Sequence, residues 1–251
     1  MGFADLILNL VFPPKCANCG KLLDVDVTKR VSEPLCEQCN RHFENEKSRE
    51  CPDCGLMLRF CRCMPGTMKK AQCEGLIKLI SYSPTGHSAS VNNVIYSVKH
   101  RKNRALLDYL TFQLRSSVIT EMRVRELLPN DCLVTYMPRS LDNKAEDGFD
   151  QGLAMARALS REMGIPLLHA FRRRASARVQ KNLKGYERRL NMMSAYAPRR
   201  VGDAVRGKTV FLVDDIVTTG SSMSACVKML HSMGADCVIG VCIGYTEKLK
   251  K

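Results

Sequence analysis

At 251 residues and 45% hydrophobic, the chain holds enough apolar material for a sizeable core, which excludes the disordered class. No run approaches the roughly 20 apolar residues of a membrane-spanning helix, and the opening MGFADLILNLVF has neither a basic start nor a small-residue cleavage site, so a cytoplasmic address is expected. A formal charge of +14 points to an anionic partner without choosing between a phosphate ligand and nucleic acid.

Taken in chain order, residues 1–12 suit a short amphipathic helix, lying on a membrane or, more simply, packing on the adjoining domain. Eight of the thirteen cysteines then fall between Cys16 and Cys63. CANC (16–19) and CEQC (36–39) are paired-cysteine knuckles sixteen residues apart, followed by CPDC (51–54) and CRC (61–63). A two-residue gap lets two thiolates wrap one ion, and two such pairs complete a four-sulfur zinc shell. The expected metal ligands are Cys16, Cys19, Cys36 and Cys39 for one ion and Cys51, Cys54, Cys61 and Cys63 for a second, with an interleaved pairing as the alternative. Disulfides and an iron–sulfur cluster compete with zinc; the missing secretion signal and the other thiols in apolar runs disfavour the first. With so few large apolar side chains, the module would take its folding energy from structural Zn2+, one or two per chain. The boundary is expected near residue 70: a zinc-ribbon-like module at 1–70, then a larger domain at 71–251.

Beyond residue 70, short β-branched runs alternate with longer amphipathic segments, the pattern of an α/β fold with a mainly parallel sheet flanked by helices. Strands are predicted at GLIKLISY, CLVTYM, IPLLHAF, TVFLVD and CVIGVCIGY. Helices are predicted at SVNNVIYSVKH, NRALLDYLTFQLRSSV, QGLAMARALSREMG and SMSACVKMLHSMG, the last two ended by Gly164 and Gly234. The stretch from Ala170 to Arg200 lacks a period and reads as a flap. It opens a basic segment, Arg172 to Lys208, with twelve Lys or Arg against Glu187 and Asp203, so local positive charge gathers there. The five histidines, His42, His87, His100, His169 and His231, read as structural or exposed, with His42 at most a substitute metal ligand.

TVFLVDDIVTTGSS (209–222) carries the sharpest signal. Two adjacent carboxylates, Asp214 and Asp215, end an apolar strand and must face something cationic or hydroxylated. The TTGSS turn opens a helix, where backbone amides, hydroxyls and the dipole favour an anion; a plain helix cap is the alternative. Acids beside a phosphate cradle suit a ribose 5-phosphate, with or without Mg2+.

That strand, acid pair and threonine-glycine loop resemble the signature of type I phosphoribosyltransferases. Joined to the cysteine module, and with LVFPPKCANCG at its start and Gln180, Leu183, Glu187, Arg188 and Asn191 within QKNLKGYERRLN, the chain resembles the ComF family (ComFC- and GntX-like proteins) over nearly its whole length. The resemblance implies a transferase of the pentosyl type binding phosphoribosyl pyrophosphate with Mg2+, linked to competence and DNA uptake. Asp214 and Asp215 would be the catalytic acids holding the ribose hydroxyls. Thr218, Thr219, Gly220, Ser221 and Ser222 would hold the 5-phosphate, with Ile216 and Val217 also in the phosphoribosyl pyrophosphate site. Arg139 in YMPRS and Lys99 would face the pyrophosphate, and the 172–189 flap would close over it. The alternative is a non-catalytic single-stranded DNA-binding competence factor that retains the fold, working with DNA-uptake or helicase proteins. Where the family has Arg-Gly-Phe-Asn-Gln, this chain has DGFDQ: Asp147 and Asp150 replace a cation and an amide, and a carboxylate supplies neither donor.

Overall fold

The computed structural model describes residues 13–23, 33–82, 89–100, 103–139, 149–174 and 195–246. Residues 1–12, most of the expected flap (175–194) and Asp147 lie outside that set.

The larger part is built on β1 (Gly75–Tyr82), β2 (Cys132–Tyr136), β5 (Thr209–Val213), β6 (Ile216–Val217) and β7 (Cys237–Thr246). They form one sheet in the order β1-β7-β5-β2, with β6 also beside β7, and every pairing is parallel. The runs rich in Val and Ile suit strands buried on both faces, and successive residues serve different layers. Phe211, Val213, Ile239, Val241 and Ile243 enter one core, whereas Val210, Leu212, Val238 and Cys242 enter the other.

The first core is roofed by α3 (Ala89–His100), α4 (Arg104–Val124) and α5 (Gln151–Met163), following α1 (Glu37–Ser48) and α2 (Gly66–Lys70) of the cysteine segment. Asn103 caps α4 by accepting from the Leu106 amide at 2.9 Å, and Asp150 caps α5 by accepting from Leu153 at 3.2 Å. α4 runs six residues beyond the RSSV of the expected helix, because Glu121 and Met122 continue its buried face. The second core is covered by α6 (Ser221–Ser232), by α2, and by the antiparallel pair β3 (Phe171–Arg173) and β4 (Tyr196–Pro198). Gly164 and Gly234 take positive φ (64° and 92°) just past α5 and α6, as their positions predict.

IPLLHAF departs from expectation. Val134 donates to Pro166 O and accepts from the Leu168 amide, so the segment touches the outer edge of β2, but only one bridge forms. Pro166 has no N–H to extend a ladder, and the strand begins at Phe171, away from the main sheet.

The cysteine segment docks along α4. Tyr109 Oη donates to Asn40 Oδ1 at 2.8 Å, Lys47 Nζ to Gln113 Oε1 at 2.8 Å, and Arg62 Nε to Glu121 Oε2 at 2.6 Å. Cys16, Cys39 and Phe43 complete the core on the α3–α5 face.

Candidate functional site

The acid pair sits in a kink, not at a strand's free end. β5 stops at Val213, the chain steps through Asp214 and Asp215, and it resumes as β6 on the same neighbour, β7. The Asp214 amide donates to Val241 O at 3.0 Å, and Asp215 O accepts from Ile243 at 3.0 Å. Each carboxylate folds back onto the next amide: Asp214 Oδ1 accepts from Asp215 N at 2.9 Å, and Asp215 Oδ1 from Ile216 N at 2.8 Å. Both side chains are thereby fixed at the carboxyl end of the sheet, where open α/β sheets place their ligands. Arg139, just past the adjacent β2, brings Nη2 to 4.0 Å from Asp215 Oδ2, with both side chains mostly buried.

The loop comes next in the chain. Thr218 and Thr219 are exposed, Gly220 is buried at φ 69°, and Ser221 opens α6. Thr219 Oγ1 and Ser221 Oγ are 3.0 Å apart, and Gly220 O accepts both the amide and the hydroxyl of Ser224. Tyr196 of β4 reaches this site from the second layer. Burial and the Asp214 carboxylate raise its hydroxyl above the ordinary range, against a hydrogen bond with Ser222. Burial likewise pushes the Cys226 and Cys242 thiols far up, leaving them inert core groups beside the acids.

The cysteines form two groups, 16/19/36/39 and 51/54/61/63, with all sulfurs of a group within 4.8 Å of one another. CANCGKL and CPDCGLM fold as the same knuckle. In each, the first cysteine's amide donates five residues ahead (Cys16 to Lys21 O, Cys51 to Leu56 O) and its carbonyl accepts from the glycine (Gly20, Gly55). CEQC is not a second knuckle: Cys36 immediately precedes α1, with no side-chain capping bond, and Cys39 lies in its first turn. A tetrahedral ion with bonds of about 2.3 Å needs sulfurs about 3.8 Å apart. Cys19 and Cys36 are 3.7 Å apart, and Cys54 and Cys61 3.6 Å. Burial opposes ionisation, but amides of Cys19, Cys36 and Asn18 bring Cys16 down to about 7, while burial pushes Cys39 and Cys63 up to about 12. Four thiolates so close need a cation among them, and the donor set fits Zn2+.

The second group carries an independent sign of negative charge. Lys78, in the middle of β1, is 1% exposed. Its ammonium donates to Cys63 O at 2.7 Å and to Cys61 Sγ at 3.2 Å and lies over the Tyr245 ring. A buried ammonium needs an anion, and a zinc tetrathiolate is a dianion.

A family model described as a phosphoribosyl transferase domain matches residues 150–249. The chain is 26% identical over 215 residues to DNA utilization protein YhgH of Escherichia coli K12, spanning 83% of this chain and 89% of that protein. It is 30% identical over 90 residues to Competence protein F of Haemophilus influenzae, covering 36% and 39% of the two chains. The chain carries a phosphoribosyltransferase-type domain and is homologous to YhgH and Competence protein F. A solved purine phosphoribosyltransferase from Pyrococcus horikoshii shares 20% identity over 57% of this chain and 77% of its own, with a TM-score of 0.34.

In this chain, Asp214, Asp215, Thr218 to Ser222 and Arg139 come together at one end of the sheet. Ile216 and Val217 are buried as β6 and offer backbone only. Lys99 is in α3, its side chain outside the described residues. Asp150 of DGFDQ is the α5 cap. His42 is exposed and belongs to neither cysteine group, whereas His169 pairs with Tyr136 Oη at 3.0 Å. Three residues escaped the sequence reading: Tyr196, Thr67 and Lys78. Only Lys78 left a signal, a lone charge inside an otherwise apolar strand.

Proposed function

We propose that the protein binds phosphoribosyl pyrophosphate with Mg2+ and transfers its phosphoribosyl group, with 1–70 as a structural zinc module and 71–251 as the transferase domain. The observation that carries this is the juxtaposition of the Asp214–Asp215 kink, the 218–222 loop and Arg139 at the carboxyl ends of β5 and β2. The loop amides and the Thr218, Thr219, Ser221 and Ser222 hydroxyls suit the 5-phosphate at the start of α6. The acids suit the ribose hydroxyls, and their charge stabilises an oxocarbenium-like centre as the anomeric bond to pyrophosphate breaks. Arg139 offsets the charge of the departing diphosphate. Mg2+, when bound, supplies further neutralisation of that leaving group.

Calorimetric titration of the zinc-loaded chain with phosphoribosyl pyrophosphate and Mg2+ tests this. Binding is expected in the wild type and about 100-fold weaker binding after Asp214→Asn with Asp215→Asn, as loss of two charge-assisted contacts implies. No wild-type binding, or equal binding by the double variant, would overturn it.

A second reading is favoured by a separate feature. An open cleft of about 620 Å3 at the outer edge of β2 is lined by His169, Arg172, Arg199 and Arg200 among apolar neighbours. Such a basic groove suits the backbone of single-stranded nucleic acid, in keeping with the names of the YhgH and Competence protein F relatives.

A further inference from the structure

The segment leaving the second cysteine group runs directly onto the 218–222 loop. After Cys63 come only Met64 and Pro65 before α2 begins. Thr67 donates its hydroxyl proton to Thr219 O at 2.6 Å. A Cβ on Gly220 would lie 2.8 Å from Met68 Cγ and 3.0 Å from Pro65 Cγ, so the loop backbone and this segment are in contact, with Met68 fully buried.

Lys78 supplies a second route. It holds Cys63 O and Cys61 Sγ, and its ammonium lies 5.4 Å from the centre of the Tyr245 ring. The Tyr245 backbone pairs with Val217, the residue before the loop. Among the described residues the first group has neither link: Cys16 and Cys39 pack into the core on the opposite face of the sheet.

The Thr67 bond has a directional effect. A trans peptide points its C=O and N–H to opposite sides, and the described residues contain no cis bond. Anchoring Thr219 O on Thr67 therefore turns the Gly220 N–H away from α2.

We propose that the second cysteine group sets the shape of the 218–222 loop, with Thr67 and Met68 as positioning residues for the phosphate, and that the first group has no such part. This rests on the phosphate role proposed above only for the identity of the ligand. The 51–64 segment has a core of just Cys51, Leu58 and Cys61, so a bound metal would order it and hence the stretch that presses on the loop. A loop shaped beforehand spares the ligand that ordering cost.

Amide hydrogen exchange of the peptide covering 214–224 in the full chain, read alongside zinc content and phosphoribosyl pyrophosphate titration, tests the inference. Thr67→Val should keep all its zinc, exchange about fivefold faster in the loop and bind about fivefold more weakly, the scale of one hydrogen bond. Cys63→Ser should lose one zinc and exchange faster still. Cys19→Ser should lose the other zinc and leave loop exchange unchanged. Unchanged loop exchange in Thr67→Val and Cys63→Ser, or equal acceleration by Cys19→Ser, overturns the inference. If the wild type binds no phosphoribosyl pyrophosphate while exchange follows this pattern, the coupling stands and the ligand assignment falls.

Discussion

Lys78 donates to the sulfur of Cys61 at 3.2 Å from a position 1% exposed. The bond joins the middle of a sheet strand to the candidate metal-binding group 17 residues before it. Loaded with zinc, the four thiolates would supply the counter-charge that lets a strand otherwise filled with Leu and Ile tolerate an ammonium. Lys78→Met keeps the bulk and removes the charge. Zinc affinity at the second group is expected to fall about 10–100-fold, with the first group unaffected, as measured by competition with a chelating dye. Wild-type protein should carry two zinc ions by elemental analysis, and an even loss from both groups in the variant would contradict this role.

Gly220 is expected to tolerate no side chain. Its φ of 69° and the close approach of Met68 and Pro65 act together. Gly220→Ala should cost about 2–4 kcal/mol, combining backbone strain with overpacking. Thermal melting with zinc content held constant checks this; an unshifted midpoint would mean that the loop moves off α2 freely.

Glu121 makes the docking of the cysteine segment pH-dependent. Burial disfavours its charge, but hydrogen bonds from Arg125 and Arg62 win and hold its carboxyl below the ordinary value of 4.5. The folded state therefore binds this proton less readily than the unfolded state. Its contribution is complete above pH 4.5 and is lost as pH falls through the lowered folded value. Glu121→Gln should cost about 3 kcal/mol at pH 7 and flatten that acid limb in urea unfolding followed against pH. A parallel shift at every pH would assign the loss to packing.

The basic cleft makes a different prediction. If it takes nucleic acid, Arg199→Ala and Arg200→Ala should each reduce the slope of log affinity against log salt by about 0.7 for a single-stranded oligonucleotide. Fluorescence anisotropy across a salt series measures it, and slopes equal to wild type would place any binding elsewhere. Phosphoribosyl pyrophosphate titration should be unaltered by either change.

Much was legible in the chain because it depends on local rules. β5 and β7 are near-continuous apolar runs, as is β1 apart from Lys78 and Ser81, and parallel strands buried on both faces read that way. The cysteine spacing matched the two groups that the fold assembles. IPLLHAF misled because its apolar content says nothing about a partner, and Pro166 cannot supply the missing donor. β6 is two residues long, too short for any period to register.

The sequence by itself determined the strand, acid and loop run at 209–222, the eight clustered cysteines and the glycine stops at Gly164 and Gly234, since each rests on spacing or backbone chemistry within a few residues. Only the tertiary structure decided that Arg139 meets Asp215 and that Thr67 and Met68 bear on Thr219 and Gly220. Thr67 and Thr219 are 152 residues apart, and such contacts depend on which face of the sheet each crossover covers. That choice belongs to the packing of whole layers, which no local pattern encodes.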